Sequence, residues 1–200
     1  MKDRIISAQD QVQRLNRILQ QVKELERLDL ESLSQKPAED RWSILEILGH
    51  MNAAYKIYEP RIDQLLAKLP DQSEAVDNFK TGRKTAFFVK AITPQGDTRP
   101  MPMKTMKVFH PGFDNDKVEY EIKDAEFHTF YTYMDHLKNA IQKARTKATK
   151  KGKLNSALGR IVRFHLPEAF EFNIGHMERH LIQIKQDFPE YFALVMTEIK

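Results

Sequence analysis

Apolar positions along the chain fall into four long stretches with helical spacing. The first runs Ile5, Ala8, Val12, Leu15, Leu19, Val22 and Leu25. Its alternating steps of three and four put these side chains on one face of a helix that ends near Leu28 to Leu33. A polar connection over Glu31 to Asp40, containing Pro37, follows. The second stretch is Ile44, Leu48, Met51, Tyr55, Tyr58, Ile62, Leu65 and Leu69. It opens on Ser43-Ile44-Leu45-Glu46, a capping box with Ser43 at the N-cap and Glu46 at the third helical position. Trp42 is placed to pack back as a staple. Pro60 predicts a bend or local break, because its ring crowds the preceding turn and it has no N–H to donate.

The third stretch, Phe127, Phe130, Met134, Leu137, Ile141, Ala144 and Ala148, is capped by Asp124 and stops near Gly152. The fourth, Phe170, Ile174, Met177, Leu181, Ile184 and Phe188, starts around Leu166-Pro167, where proline suits a first helical turn. Pro189 ends or kinks it. Tyr191 to Ile199 predicts a short terminal helix packing Phe192 and Val195 on the rest.

Between the second and third stretches the helical period is lost and Pro94, Gly96, Pro100, Pro102, Pro111 and Gly112 cluster. Lys84 to Ile92, Met106 to His110 and Lys117 to Ile122 predict short extended pieces or a hairpin. The expected fold is all-α: one domain, 1–200, built as a four-helix bundle with an irregular or β-hairpin insertion over approximately 70–123.

Composition adds exclusions. Hydrophobic residues make up 41% and charged residues 30%, which suits a chain with a real core. No apolar run approaches the roughly 20 residues that a membrane-spanning helix needs. Met1-Lys2-Asp3-Arg4 leads straight into the amphipathic pattern without the apolar centre of a signal peptide, so a cytoplasmic location is expected. Cysteine is absent, which removes disulfides, thiolate ligands and cysteine nucleophiles.

The net charge is +4, with a basic block of Lys143, Arg145, Lys147, Lys150, Lys151 and Lys153. Such a block reads either as a phosphate-binding patch or as a solvated helix end whose cations suit the macrodipole. No interleaved aromatics accompany it, so the helix-end reading is preferred and no nucleic-acid partner is expected.

Candidate chemistry centres on Gly175-His176-Met177-Glu178-Arg179-His180. Histidines four apart lie about 40° apart around a helix and project from successive turns. Both imidazoles can therefore reach one divalent ion. His50, on the stripe Ile47, His50, Ala54, Ile57 at the edge of the second helix's apolar face, is the candidate third ligand. The plain alternative is a pair of interior histidines satisfied by their neighbours.

Three neutral imidazoles leave an ion's full charge available and at least one position open, the pattern of a catalytic site. Zinc and nickel both suit imidazole. A zincin arrangement is excluded, because Met177 rather than a glutamate follows His176. Glu178 lies about 200° around the helix from His176, on the wrong face for a base. Asn173 and Gln183, on the histidine stripe, and Glu46, one turn before His50, are candidates to orient the imidazoles. Capping already accounts for Glu46, and ordinary hydrogen bonding is an equal reading for the other two. His110, His128, His136 and His165 receive no role.

At three places the chain resembles the DinB/YfiT-like superfamily, and in particular its DinB-like metal-binding bundles. They are Arg41-Trp42-Ser43-Ile44-Leu45-Glu46-Ile47-Leu48-Gly49-His50, Leu158-Gly159, and Glu168-Ala169-Phe170 running into His176-Met177-Glu178-Arg179-His180-Leu181-Ile182-Gln183-Ile184. The proline-studded Met101 to Pro111 segment is similar to the family's variable region. The resemblance implies a four-helix bundle of the DinB/YfiT type with a three-histidine metal site on His50, His176 and His180.

Some relatives are metal-dependent transferases using a low-molecular-weight thiol such as bacillithiol or mycothiol. Others are labelled hydrolases, many have no known activity, and dimers are common. The family's name derives from DNA-damage induction and implies no DNA binding. The expectation is therefore a metal-dependent enzyme, a homodimer, transferring a low-molecular-weight thiol to a small electrophile. The alternatives are a hydrolase using metal-bound hydroxide and a metal- or small-molecule-binding bundle without turnover. The long insertion sets this chain apart from better-understood relatives and is expected to shape the pocket mouth.

Overall fold

A computed structural model describes residues 5–94, 96, 98, 105–157 and 159–191. The expected terminal helix with Phe192 and Val195, together with Pro100, Pro102 and Leu158, lies outside the described residues. The described chain is mostly helical, with two small antiparallel sheets.

Helix α1 spans Ala8–Glu26. Its N-cap is Ser7, whose hydroxyl accepts from the Asp10 amide at 3.3 Å. Leu15, Ile18, Val22 and Leu25 are buried along it. The expected helix began at Ile5, but Ile5–Ser7 instead forms strand β1, paired antiparallel with β2, Asn78–Lys80. Ile6 is buried while Ile5 beside it is exposed, the alternation a strand imposes. After α1 the chain makes a short helix α2, Leu30–Ser34, capped by the Asp29 carboxylate on the Ser32 amide at 2.7 Å.

Helix α3, Ile44–Lys68, starts on the expected capping box. The Glu46 amide donates to Ser43 Oγ at 3.1 Å and the Ser43 amide to Glu46 Oε2 at 2.9 Å. No break occurs at Pro60, and the helix continues to Lys68. The lost bond would end at the Lys56 carbonyl, on the exposed side where water can serve it. Tyr58, Ile62 and Leu66 remain buried on the other side. That packing outweighs a cost of about 3 kcal/mol, since burying one large apolar side chain contributes roughly 1.5–3 kcal/mol.

The segment expected to be extended over Lys84 to Ile92 is instead helix α4, Arg83–Ile92. Ala86, Val89 and Ile92 recur every third residue and are buried, while Phe87 is 55% exposed. A short 3₁₀ turn at Lys107–Phe109 stands in place of the second expected strand, and Lys117 to Ile122 instead runs from the end of a 3₁₀ turn, Asn115–Lys117, into the first turn of the next helix. Helix α5, Tyr120–Ala144, starts four residues before Asp124 and stops before Ala148.

A hairpin then forms from β3, Leu154–Ser156, and β4, Gly159–Phe164, with Leu154 opposite Phe164 and Asn155 opposite Arg163. No strand was expected there. Helix α6, Leu166–Asp187, starts where the sequence placed it, with Glu168 Oε2 accepting from the His165 amide at 2.9 Å.

Helices α1, α3, α5 and α6 pack on one another around a continuous core that includes Leu15, Tyr58, Phe127, Phe130 and Phe170. Helix α4 lies against α6, and the Lys107–Phe109 turn lies against α3. Among the described residues no helix is long and apolar enough to cross a membrane.

Candidate metal centre

His50 sits in the first half of α3, where helix, insertion and α6 meet and leave it 4% exposed. His176 and His180 project from successive turns of α6 toward it. Their Nε2 atoms form a nearly equilateral triangle: 3.2 Å from His50 to His176, 3.1 Å from His50 to His180, and 3.1 Å from His180 to His176. No other group of three or more metal-ligating side chains is this close among the described residues.

The partners of the opposite ring nitrogens fix two tautomers. His50 Nδ1 lies 2.7 Å from the Phe109 carbonyl oxygen, which can only accept, so the proton is on Nδ1 and Nε2 is bare. His180 Nδ1 donates in the same way to Gln183 Oε1 at 3.0 Å. Two bare nitrogens thus face each other, with the third nitrogen equally close to both. A single proton cannot bridge all three.

A cation can. Zinc–nitrogen bonds of about 2.0–2.1 Å at tetrahedral angles put ligand nitrogens about 3.3 Å apart. The observed spacing is within the tolerance expected of a metal site. Burial pushes the His50 imidazole below its ordinary range, and His180 well below it. His176 is held down to about 3, by burial first and then by the neighbouring charges of His50 and Arg179. All three rings are therefore neutral near pH 7, as metal ligands must be.

The three histidines line a cavity of about 260 Å³. Its other walls come from α3 (Ala54, Tyr58), α4 (Ile92), the turn at Met106 and Phe109, and α6 (Phe172, Arg179). Two glycines set the close approaches around it. A Cβ on Gly49 would stand 2.9 Å from the Phe113 ring and 3.0 Å from Pro111, so glycine lets the segment after Phe109 lie flush on α3 beside His50. A Cβ on Gly175 would stand 2.6 Å from Thr93 Oγ1 and 3.2 Å from its Cα, so glycine admits the end of α4 next to His176.

Of the residues named as candidates to orient the imidazoles, Gln183 touches one. Asn173 lines the cavity, but its amide donates to the Ala169 carbonyl at 2.8 Å within its own helix. Among the described residues no bond joins Asn173 to the triad. Glu46 takes the capping role already read for it: its carboxylate caps α3 and pairs with Lys36 Nζ at 3.3 Å. Glu178, set aside as a base, pairs with Arg14 across the α1–α6 interface at 2.6 Å.

The Phe109 carbonyl was missed, because a main-chain acceptor has no side-chain signature in sequence. The half-buried Trp42 ring packs 5.0 Å from His50 and 5.6 Å from His110. His136 bridges Tyr55 Oη at 2.8 Å and Asp63 at 3.0 Å, and His165 Nδ1 binds the Gly152 carbonyl at 2.8 Å, both apart from the triad.

Compared with known protein families, curated proteins and solved structures, the chain has no match. What fold and site define is a helical protein with three histidines, two buried and one half-buried, close enough to hold a metal ion.

Proposed function

We propose that this protein is a metal-dependent enzyme of the DinB-like kind, with His50, His176 and His180 holding one divalent ion, zinc or nickel. Its favoured reaction is transfer of a low-molecular-weight thiol to a small electrophile bound in the adjoining cavity. The observation that carries this reading is the triangle of Nε2 atoms, 3.1–3.2 Å on each side, in the wall of a 260 Å³ cavity.

When bound, such an ion lowers the pKa of a coordinated thiol or water and supplies a nucleophile near neutral pH. The chain's own part is to hold the ligands in their bare-Nε2 tautomers. The Phe109 carbonyl does this for His50 and the Gln183 amide oxygen for His180. Tyr58, Ile92 and Phe172 supply apolar walls that exclude water from the reacting groups. In the transfer, the sulfur–carbon bond forms as the leaving group departs with the electron pair, and the thiol proton passes to solvent.

Elemental analysis of the purified protein beside a His50→Ala/His176→Ala/His180→Ala variant tests the ion. About one metal per chain in the wild type and none in the variant is expected. Loss of an electrophile such as 1-chloro-2,4-dinitrobenzene is then followed with and without added thiol, with His50→Ala as control. Thiol-dependent turnover absent in His50→Ala supports transfer. Turnover of an ester that needs no thiol moves the reading to hydrolysis, and stoichiometric metal without turnover moves it to a binding bundle. Equal metal content in wild type and triple variant would end the proposal.

A further inference from the structure

We infer that the cavity beside the triad takes a small anion, a carboxylate group on a compact apolar body, and that Arg179 selects its charge. The part of this assigned to the ion rests on the metal reading above; the part assigned to Arg179 does not.

Arg179 is one turn from His176 on α6 and adjacent to His180, is 7% exposed, and lines the same cavity. Its charge bears on both neighbouring imidazoles, lowering the proton affinity of each. None of the described residues lining the cavity is an aspartate or glutamate. The wall thus combines a guanidinium with three neutral imidazoles, and an ion on those imidazoles would bring further positive charge into a poorly solvated space. Positive charge concentrated in a low-dielectric cleft draws and holds negative ligands.

Arg179 also engages the protein. A guanidinium has five donors in a planar fork, which allows it to serve an internal partner and a carboxylate together. Apart from Thr105 and Asn173 the remaining wall is apolar: Ala54, Tyr58, Ile92 and Phe172 suit a hydrocarbon or aromatic body better than a sugar or a nucleotide. A volume of about 260 Å³ limits that body to roughly the size of one ring with short substituents.

Benzoate and its neutral isostere benzamide are the probes, titrated by calorimetry into metal-free and zinc-loaded protein. Benzoate is expected to bind at least about tenfold more tightly than benzamide, the factor a charge-assisted hydrogen bond supplies. Arg179→Gln is expected to bring the ratio within about threefold while zinc content stays at the wild-type level. Arg179→Lys should keep an intermediate preference.

Equal binding of the two probes by the wild type, or an unchanged ratio in Arg179→Gln, would overturn the inference. Should Arg179→Gln fail to fold by circular dichroism, the wild-type ratio and its fall in Arg179→Lys decide. Failure to bind zinc would sink the metal reading alone, because the metal-free titrations still report on Arg179.

Discussion

Gly175→Ala separates tertiary packing from helix propensity at the wall of the site. In an isolated helix the substitution should stabilise by about 1 kcal/mol. Here the new methyl would meet Thr93 Oγ1 at 2.6 Å, the Thr93 Cα at 3.2 Å and its Cβ at 3.3 Å. The hydroxyl cannot simply swing aside, since it donates to the Val89 carbonyl at 2.7 Å. Something must shift by several tenths of an ångström. Helix α6 is fixed in the core by Phe170, Ile174 and Met177, so the end of α4, with Ile92, is what gives way.

Overpacking of this kind costs about 1–3 kcal/mol, and with the propensity gain subtracted the net loss is about 1 kcal/mol. For a chain of this size that lowers the melting temperature by about 2–4 °C. Thr93→Ala removes the closest contact, so Gly175→Ala/Thr93→Ala should recover part of the loss. A coupling of about 1 kcal/mol in the double-mutant cycle is expected, read by urea denaturation of the four proteins. A Gly175→Ala protein more stable than wild type, or effects that add within about 0.3 kcal/mol, would refute this account of the α4–α6 contact.

Three further predictions follow from the same geometry. Gln183→Leu removes the acceptor that fixes the His180 tautomer and should weaken zinc binding about 10–100-fold in a chelator competition; unchanged affinity would mean Gln183 does not orient the ring. Arg14→Met strips the counter-charge from Glu171 and Glu178, held at 2.7 and 2.6 Å with the Glu171 side chain only 2% exposed. It should cost about 3 kcal/mol by urea denaturation, and a loss under about 1 kcal/mol would contradict the burial argument.

Acid should destabilise the metal-free protein between the ordinary histidine value of 6.5 and about 3, because the unfolded chain takes up protons there that the folded triad refuses. Above that window neither state is protonated at these rings and the contribution is flat. Thermal melts against pH check this, and a His50→Asn/His176→Asn/His180→Asn variant with the same acid loss would refute it.

The parts legible in the sequence were those written in side chains at helical spacing. Steps of three and four located α1, α3, α5 and α6, and Ser43 with Glu46 and Pro167 marked two helix starts. The four-residue spacing of His176 and His180 placed both on one face, and Gln183 one turn beyond His180 was within reach of its ring.

Where short elements compete with longer patterns, the reading failed. The apolar Phe87-Phe88-Val89 run reads as a strand, whereas burial follows Ala86, Val89 and Ile92. Ile5 continues the spacing of α1 but is taken into β1 by pairing with Lys80, a partner distant in sequence. Strand β3 is three residues long, too short for a period of two to stand out among lysines. Asn173 shares a stripe with the histidines, yet the carbonyl one turn back on its own helix captures its amide.

The bond from His50 to the Phe109 carbonyl has a consequence for divergence. A peptide oxygen is the same whatever residue bears it, so replacements of side chains at Thr105, Met106 or Phe109 can reshape the mouth while leaving this hydrogen bond in place. Insertions and deletions are different: adding or removing a single residue between Phe109 and the Pro111–Phe113 seat on Gly49 would carry another carbonyl, or none, to the ring. Among descendants of such a protein, this loop would tolerate new letters far more readily than a new length.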